Sequence, residues 1–190
     1  MRRYQLCLLL LYLFPLISTS GCVSHGGAYG DRNYDLIAAA ADGDEKKVRR
    51  LLSQGADVNA QELQLGMTPL IAATYKQSAK TVVVLLAAGA KADFRGQSNQ
   101  TPLMIASQSG DMSTATALLR AGANKDLAND DGVTPLMLAA ESGQLQTVRL
   151  LLDSGARPSE IDQKGWSALT YAESKKQAAV ANLLRTRGAL

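Results

Sequence analysis

The chain has 190 residues and a mass of 20.1 kDa, enough for one domain or two small ones. Apolar residues make up 46% and charged residues 19%, which supplies a hydrophobic core and excludes a highly charged disordered chain. The formal charge is +3, but residues 1–21 hold two arginines and no acid, so the rest carries 18 basic against 17 acidic side chains. Global charge therefore does not predict nucleic-acid binding.

Residues 1–21 have the layout of a secretory signal peptide. Arg2 and Arg3 precede an apolar stretch from Leu6 to Ile17, which is shorter than the roughly 20 residues a membrane span needs, and small residues follow. Ser20-Gly21-Cys22 resembles the lipobox of bacterial lipoproteins, in which the cysteine is lipidated and becomes the first residue of the mature chain. The resemblance implies lipidation of Cys22. A plain signal peptide cleaved nearby is the alternative.

The residues around Cys22 indicate the cellular compartment of the protein and how the repeats are linked to the membrane anchor. Val23 stands where Asp commonly signals inner-membrane retention in lipoproteins, so the resemblance implies the periplasmic face of the outer membrane. Cys7 lies in the segment to be removed, which leaves the mature chain without a disulfide, and that suits an oxidising compartment. Residues 22–32 are rich in Gly and small polar residues and predict a flexible tether.

The body of the chain repeats with a period of about 33 residues. Thr68-Pro69-Leu70, Thr101-Pro102-Leu103 and Thr134-Pro135-Leu136 recur at that spacing, and Ser167-Ala168-Leu169 follows one period later. Gly-Ala pairs at 89, 122, 155 and 188 keep the same step, and the pair at 55 is one position farther from the next. Five units follow, at about 33–62, 63–95, 96–128, 129–161 and 162–190.

Each landmark predicts a local structure. The Thr oxygen caps the first helix of a unit, Pro at the first helical position loses no hydrogen bond, and Leu begins the buried stripe. Alanines 73, 106, 139 and 172 predict close helix packing on one face, and glycines predict the turns that end or join helices. Each unit is therefore predicted to be a helix, a turn and a second helix.

This pattern resembles the ankyrin repeat, which implies an all-α solenoid of paired antiparallel helices with turn tips. A helical bundle with accidental spacing is the alternative. The family's usual His after Thr-Pro-Leu is Ile71, Met104, Met137 and Thr170 here, so we expect its local hydrogen bonds to be missing. Gln77 and Lys176 replace the helix-turn Gly in two units, and we expect a local loss of stability there.

The resemblance also implies where a protein partner binds, because ankyrin repeats use a concave surface of tips and first-helix ends. By position, the candidate partner-binding residues are Met67, Tyr75, Lys76, Gln97, Gln100, Gln108, Asp130, Asp131, Val133, Glu141, Lys164, Trp166, Ser174 and Lys175. The same transfer includes Gln64, Leu65, Ser98, Ser109, Ser142 and Gln163.

Trp166 and Tyr75 are the sharpest of these candidates, because large amphipathic side chains dominate interface hot spots. Trp166 could instead pack against the preceding tip, and Tyr75 could fold back near Ala106. Met67 and Val133 could be apolar contacts between tips, and Asp130 and Asp131 could be turn formers.

The residue inventory predicts no enzyme. The single histidine, His25, lies in the predicted tether, so no Ser or Cys nucleophile in the repeats has a histidine base. The mature chain has too few Cys and His residues for a zinc site and lacks a Gly-rich phosphate loop. We therefore expect no metal, no cofactor, no small-molecule substrate and no nucleic-acid partner.

Two functions remain open. The first is a lipid-anchored periplasmic scaffold or regulator of an envelope protein. The second is an immunity protein that inhibits an antibacterial phospholipase-type toxin, which small periplasmic lipoproteins with ankyrin-like repeats can resemble. The mixed charges of the end repeats argue against end-to-end stacking, so we expect a monomer.

Overall fold

A computed structural model of the chain describes residues 28–62 and 66–188. The predicted signal peptide, Cys22 and His25 lie outside the described residues, as do Gln64 and Leu65.

The described residues form ten α-helices and one short 3-10 turn, Gln97–Asn99. The helices are α1 Ala28–Asp42, α2 Glu45–Ser53, α3 Pro69–Tyr75, α4 Ala79–Ala87, α5 Pro102–Ser109, α6 Met112–Arg120, α7 Pro135–Glu141, α8 Leu145–Asp153, α9 Ala168–Ser174 and α10 Ala178–Thr186. Across these two ranges the only β pairing is one isolated bridge, between Ile161 and Ser167. The all-α prediction is confirmed.

The helices stack in two layers. The first helices of successive units, α1, α3, α5, α7 and α9, pack side by side, and so do the second helices, α2, α4, α6, α8 and α10. The two helices of each unit also contact each other, so each unit touches mainly its neighbours, as in a solenoid.

The core lies between the layers. Leu103, Leu118 and Leu151 are among its fully buried side chains, and the repeated alanines at 73, 106, 139 and 172 have no exposed surface. Small side chains there let neighbouring first helices approach closely, as the sequence pattern predicted.

The first helices α3, α5 and α7 begin where the Thr-Pro-Leu motif places them. Thr68, Thr101 and Thr134 each accept a hydrogen bond from the backbone N–H three residues on, and Pro follows at the first helical position. Ser167 caps α9 in the same way, with Thr170 N donating to its Oγ at 3.3 Å. These caps satisfy helix-end donors that would otherwise be buried without a partner.

Two methionines correct the expectation that the local bonds of the family's His would be missing. Met104 Sδ accepts a hydrogen bond from Thr101 N at 3.5 Å, and Met137 Sδ accepts one from Thr134 N at 3.4 Å. A thioether sulfur is a weak acceptor, but at this position it closes the same reciprocal cap. The expectation was wrong for these two units because it overlooked sulfur as an acceptor.

The helix α1 corrects the boundary of the predicted tether. The helix begins at Ala28, so residues 28–32 belong to it. Its first turns are fixed to the first unit: Arg32 Nη1 donates to Gln54 O at 3.1 Å, and Asp57 N donates to Asn33 Oδ1 at 2.8 Å. Composition alone did not reveal these partners, because they are distant along the sequence.

A ladder of side-chain bonds joins neighbouring units in the loops that precede the tips. Lys91 N donates to Asn59 Oδ1 at 2.9 Å, and Asn124 N donates to Asp93 Oδ1 at the same distance. Arg157 N continues the ladder to Asp126 Oδ1 at 3.0 Å. The acceptors recur once per repeat, so these bonds hold the units in register.

Candidate protein-interaction surface

The tips are closed turns of nearly constant length. Asn129 N bonds Val133 O, and Asp162 N bonds Trp166 O, so each of these tips spans five residues. The second-unit tip instead joins Glu62 N to Met67 O and therefore spans six. That extra residue accounts for the one longer step in the repeat.

Neighbouring tips are bonded to one another. Gln163 N donates to Asp131 O at 3.0 Å, and its side-chain amide donates to Asp130 O at 2.6 Å. The Asn99 amide donates to the carboxylate of Asp130. The tips of the third, fourth and fifth units therefore form one continuous edge.

Asp162 organises the last tip. Its side chain is only 5% exposed and accepts hydrogen bonds from Tyr171 Oη at 2.7 Å, Trp166 N at 2.8 Å and Lys164 N at 2.9 Å. Burial raises the pKa of the Asp162 carboxyl, but these three bonds and the nearby Lys164 charge offset burial, and the pKa is lowered from its usual value. Asp162 is thus a buried carboxylate that fixes the shape of the tip.

Trp166 is held by this network and remains available. Its ring meets Tyr171 edge to face, with centroids 5.3 Å apart and planes at 69°, while 38% of the residue stays exposed. Its aromatic partner therefore belongs to its own unit. A pre-positioned, half-exposed aromatic side chain suits an interface anchor because little conformational freedom is lost on binding.

Tyr75 bridges two units. Its hydroxyl donates to Gln100 Oε1 at 3.3 Å, and both residues are partly buried. Tyr75 therefore extends toward the next tip, and its ring edge is less available to a partner than that of Trp166.

Val133 is corrected as a candidate contact. Val133 is 8% exposed and belongs to the hydrophobic core, so it is not available to a partner. It occupies the position before the capping Thr134, and the side chains at this position differ in exposure from unit to unit. Trp166 holds the equivalent position in the last unit and is exposed. Met67, also at this position, is partly buried against the core.

The remaining candidates divide by exposure and charge. Lys76, Gln97, Asp130, Asp131, Lys164 and Ser174 are exposed, whereas Gln108, Glu141 and Lys175 are partly buried. Lys175 Nζ lies 3.2 Å from Glu141 Oε1, so these two charges pair across the fourth and fifth units. We call the exposed set together with Trp166 the tip surface.

Ile161 is a further exposed apolar residue, which the repeat motifs did not indicate. It is 62% exposed on the same tip as Trp166, where the two preceding units have Ala128 and Arg95. A comparison of equivalent positions across the repeats would have found this departure. Ile161 adds an apolar contact to the end of the tip surface.

Other kinds of site find no support in residues 28–62 and 66–188. No group of three or more His, Cys, Asp or Glu residues in these ranges is arranged to hold a metal ion. No helix there is long and apolar enough to cross a membrane.

The match to known families decides the class of this protein. The family model for ankyrin repeats (3 copies) matches residues 36–129 and again residues 103–189. The chain belongs to the ankyrin-repeat family. This family consists in general of non-catalytic scaffolds that bind other proteins, and the tip surface is the part of this member that presents varied exposed side chains.

Curated relatives match a smaller part of the chain than the family model does. Residues of this chain are 49% identical over 55 positions to the mitochondrial disaggregase of Homo sapiens and, over the same length, to that of Bos taurus. The match covers 29% of this chain and 8% of each relative. The chain therefore spans only a small part of the length of these relatives.

Proposed function

We propose that this protein is a lipid-anchored ankyrin-repeat scaffold or regulator in the bacterial periplasm, which binds an envelope protein through its tip surface. The observation that carries the proposal is Trp166, an aromatic side chain fixed by Asp162 and Tyr171 yet exposed beside Ile161. Around it lie charges of both signs, which give a partner specificity as well as contact area.

The anchor and the address rest on the sequence. The apolar stretch followed by Ser20-Gly21-Cys22 supports lipidation, and Val23 supports the periplasmic face of the outer membrane. Cys22→Ala should release the protein from the membrane fraction, whereas Cys7→Ala should leave it there. Membrane association unchanged in Cys22→Ala would contradict the lipid anchor.

The binding proposal is tested by capture from envelope extracts. We expect immobilised residues 22–190 carrying Cys22→Ala to retain a partner in one-to-one proportion. Trp166→Ala should abolish retention, and Ala179→Ser, a matched change on the exposed face of α10, should not. Equal retention by the two variants would contradict a role for the tip surface.

An immunity protein is the second candidate. The rigid mounting of Trp166 favours it, because a prearranged anchor suits the tight blocking of an active site. In that case the captured protein is a toxin such as a phospholipase, its activity falls when this protein is added, and deletion is lethal only where the toxin is present. A housekeeping envelope protein on the column would instead support the scaffold.

A further inference from the structure

The second helices of the first four units present a second surface, which we call the outer-helix face. Helices α2, α4, α6 and α8 pack side by side, and their exposed sides lie next to one another. Its exposed basic residues are Lys46, Arg49, Arg50, Lys80, Arg120 and Arg149. Against them these helices contain two acidic residues, Glu45 and Asp153.

Both acidic residues are already paired. Glu45 Oε1 lies 2.9 Å from Arg49 Nε, and Asp153 Oδ1 lies 2.8 Å from Arg187 Nη2. The other five basic residues of the face have no ion pair with any described residue. A chain that is nearly neutral without residues 1–21 therefore concentrates unpaired positive charge on one side.

The same face contains exposed apolar side chains. Val83, at the centre of α4, is 53% exposed, and Met112, the first residue of α6, is 37% exposed. Val83 lies in a shallow groove that small α4 and α6 side chains line, with Arg49 and Arg120 on opposite sides. Apolar side chains among basic ones are typical of surfaces that rest on lipid headgroups.

The start of the fold lies beside this face. The bonds from Arg32 to Gln54 O and from Asp57 N to Asn33 fix the start of α1 to the loop that follows α2. Six residue steps separate Cys22 from Ala28 and span at most about 20 Å. A lipid on Cys22 would therefore keep α2 close to the membrane.

We propose that the outer-helix face docks on an anionic phospholipid surface, with the basic residues at the headgroups and Val83 and Met112 at their apolar boundary. The choice of a membrane rests on the proposed lipid anchor, but the surface itself can be tested without it. The outer-helix face and the tip surface share no residue, so the docked protein can still bind its partner.

The test is sedimentation of residues 22–190 carrying Cys22→Ala, which contain every described residue, with two kinds of vesicle. Vesicles of phosphatidylethanolamine and phosphatidylglycerol should bind the protein, and vesicles of phosphatidylethanolamine and phosphatidylcholine should not. Binding should weaken as salt is raised from 0.05 to 0.3 M, roughly in step with the shorter screening length. The combined changes Arg50→Gln, Lys80→Gln and Arg120→Gln should lower the affinity by about a hundredfold, at roughly fivefold per charge.

The matched control removes the same net charge elsewhere. Lys76→Gln, Lys91→Gln and Lys164→Gln together alter three exposed lysines outside the outer-helix face and should change the affinity by less than about threefold. A dye on Val83→Cys should shift to shorter wavelength on vesicle binding, and one on Ser98→Cys, at a tip, should not.

Equal losses in the two triple variants would overturn the proposal, as would the absence of a preference for anionic vesicles. These outcomes are independent of the anchor, because the protein tested lacks Cys22. Failure of Cys22→Ala to release the protein in cells bears on the anchor alone.

Discussion

Single residues show how few side chains set the shape of the tip surface. Asp162 is the clearest case, because one carboxylate accepts three hydrogen bonds and fixes both the backbone and the aromatic pair of the last tip. The fourth tip uses Asn129 in the same place, whose Oδ1 accepts from Asp131 N and Val133 N. A short side-chain acceptor at this position therefore helps to close the fourth and fifth tips.

Asp162→Asn should lower the free energy of unfolding by about 1 to 3 kcal/mol, because a buried hydrogen-bonded carboxylate oxygen is replaced by an amide nitrogen that cannot accept. Urea unfolding followed by the fluorescence of Trp166 measures this, since it is the chain's one tryptophan. The exposed Asp131→Asn is the control and should stay within about 0.5 kcal/mol. Equal stabilities of the two variants would contradict the role given to Asp162.

The same carboxylate predicts an acid-sensitive tip. The pKa of Asp162 is lower in the folded protein than in the unfolded chain, where Asp titrates at about 3.9. The contribution of the Asp162 carboxylate to the free energy of unfolding is therefore complete above roughly pH 5 and is lost as pH falls through the pKa of the folded state. The free energy of unfolding of the wild type, measured between pH 7 and 3, should show this loss. The difference in free energy of unfolding between the wild type and Asp162→Asn should become smaller toward pH 3. A constant difference would contradict it.

Gln77 and Lys176 carry a backbone cost at the turns within their units. Their φ values are 58° and 60°, a left-handed conformation that Gly43, Gly110 and Gly143 adopt at the equivalent turns. Lys176→Gly should raise the free energy of unfolding by up to about 1 kcal/mol, since relief of strain outweighs the added freedom of the unfolded chain. Gly143→Ala should lower it by about 1 kcal/mol. Destabilisation by Lys176→Gly would show that its side chain contributes more than the strain costs.

At the scale of the element, the caps explain why such short helices are stable. A helix of seven or eight residues is marginal alone, so α3, α5, α7 and α9 depend on their Thr or Ser caps and on packing against their neighbours. The sulfur bonds of Met104 and Met137 belong to this set.

Met137→Leu should cost about 0.5 to 1.5 kcal/mol, because it keeps the volume of the buried side chain but leaves Thr134 N without its sulfur acceptor. Met67→Leu is the matched control, since Met67 is partly buried and accepts no such bond; it should be nearly neutral. Chemical denaturation compares the two. The same cost for both would mean that the sulfur contributes shape and no hydrogen bond.

The sequence predicted the elements well and the side-chain roles less well. The recurrence of Thr-Pro-Leu predicted the first helices α3, α5 and α7, because capping and proline chemistry are local. Whether Val133 or Trp166 points outward depends on how neighbouring tips pack, which spacing does not specify. The start of α1 and the bonds of Met104 depend on contacts that composition cannot reveal.

At the scale of the whole molecule, the stack is a series of units held by neighbour contacts. Among the described helices α10 packs mainly against α8 and α9, so the fifth unit has one neighbouring unit within the described residues. Inner units have two, so local unfolding should be easiest at the end of the stack.

Leu184→Ala and Leu118→Ala remove equally buried side chains from a terminal and an inner helix. Each should cost about 2 to 5 kcal/mol within its own unit. During urea unfolding of Leu184→Ala, the fluorescence of Trp166 should change at a lower urea concentration than the helicity measured by circular dichroism. In Leu118→Ala the two transitions should lie closer together. Identical separations in both variants would contradict unit-by-unit stability.

The most direct test of the tip surface as a binding site is site-specific photo-crosslinking in living cells. A photoreactive phenylalanine analogue replaces Trp166 in one strain and Ala179, on the exposed face of α10, in another. We predict one prominent protein adduct from position 166 and none from position 179. Adducts from position 179 alone, or the same adducts from both positions, would contradict binding through the tip surface.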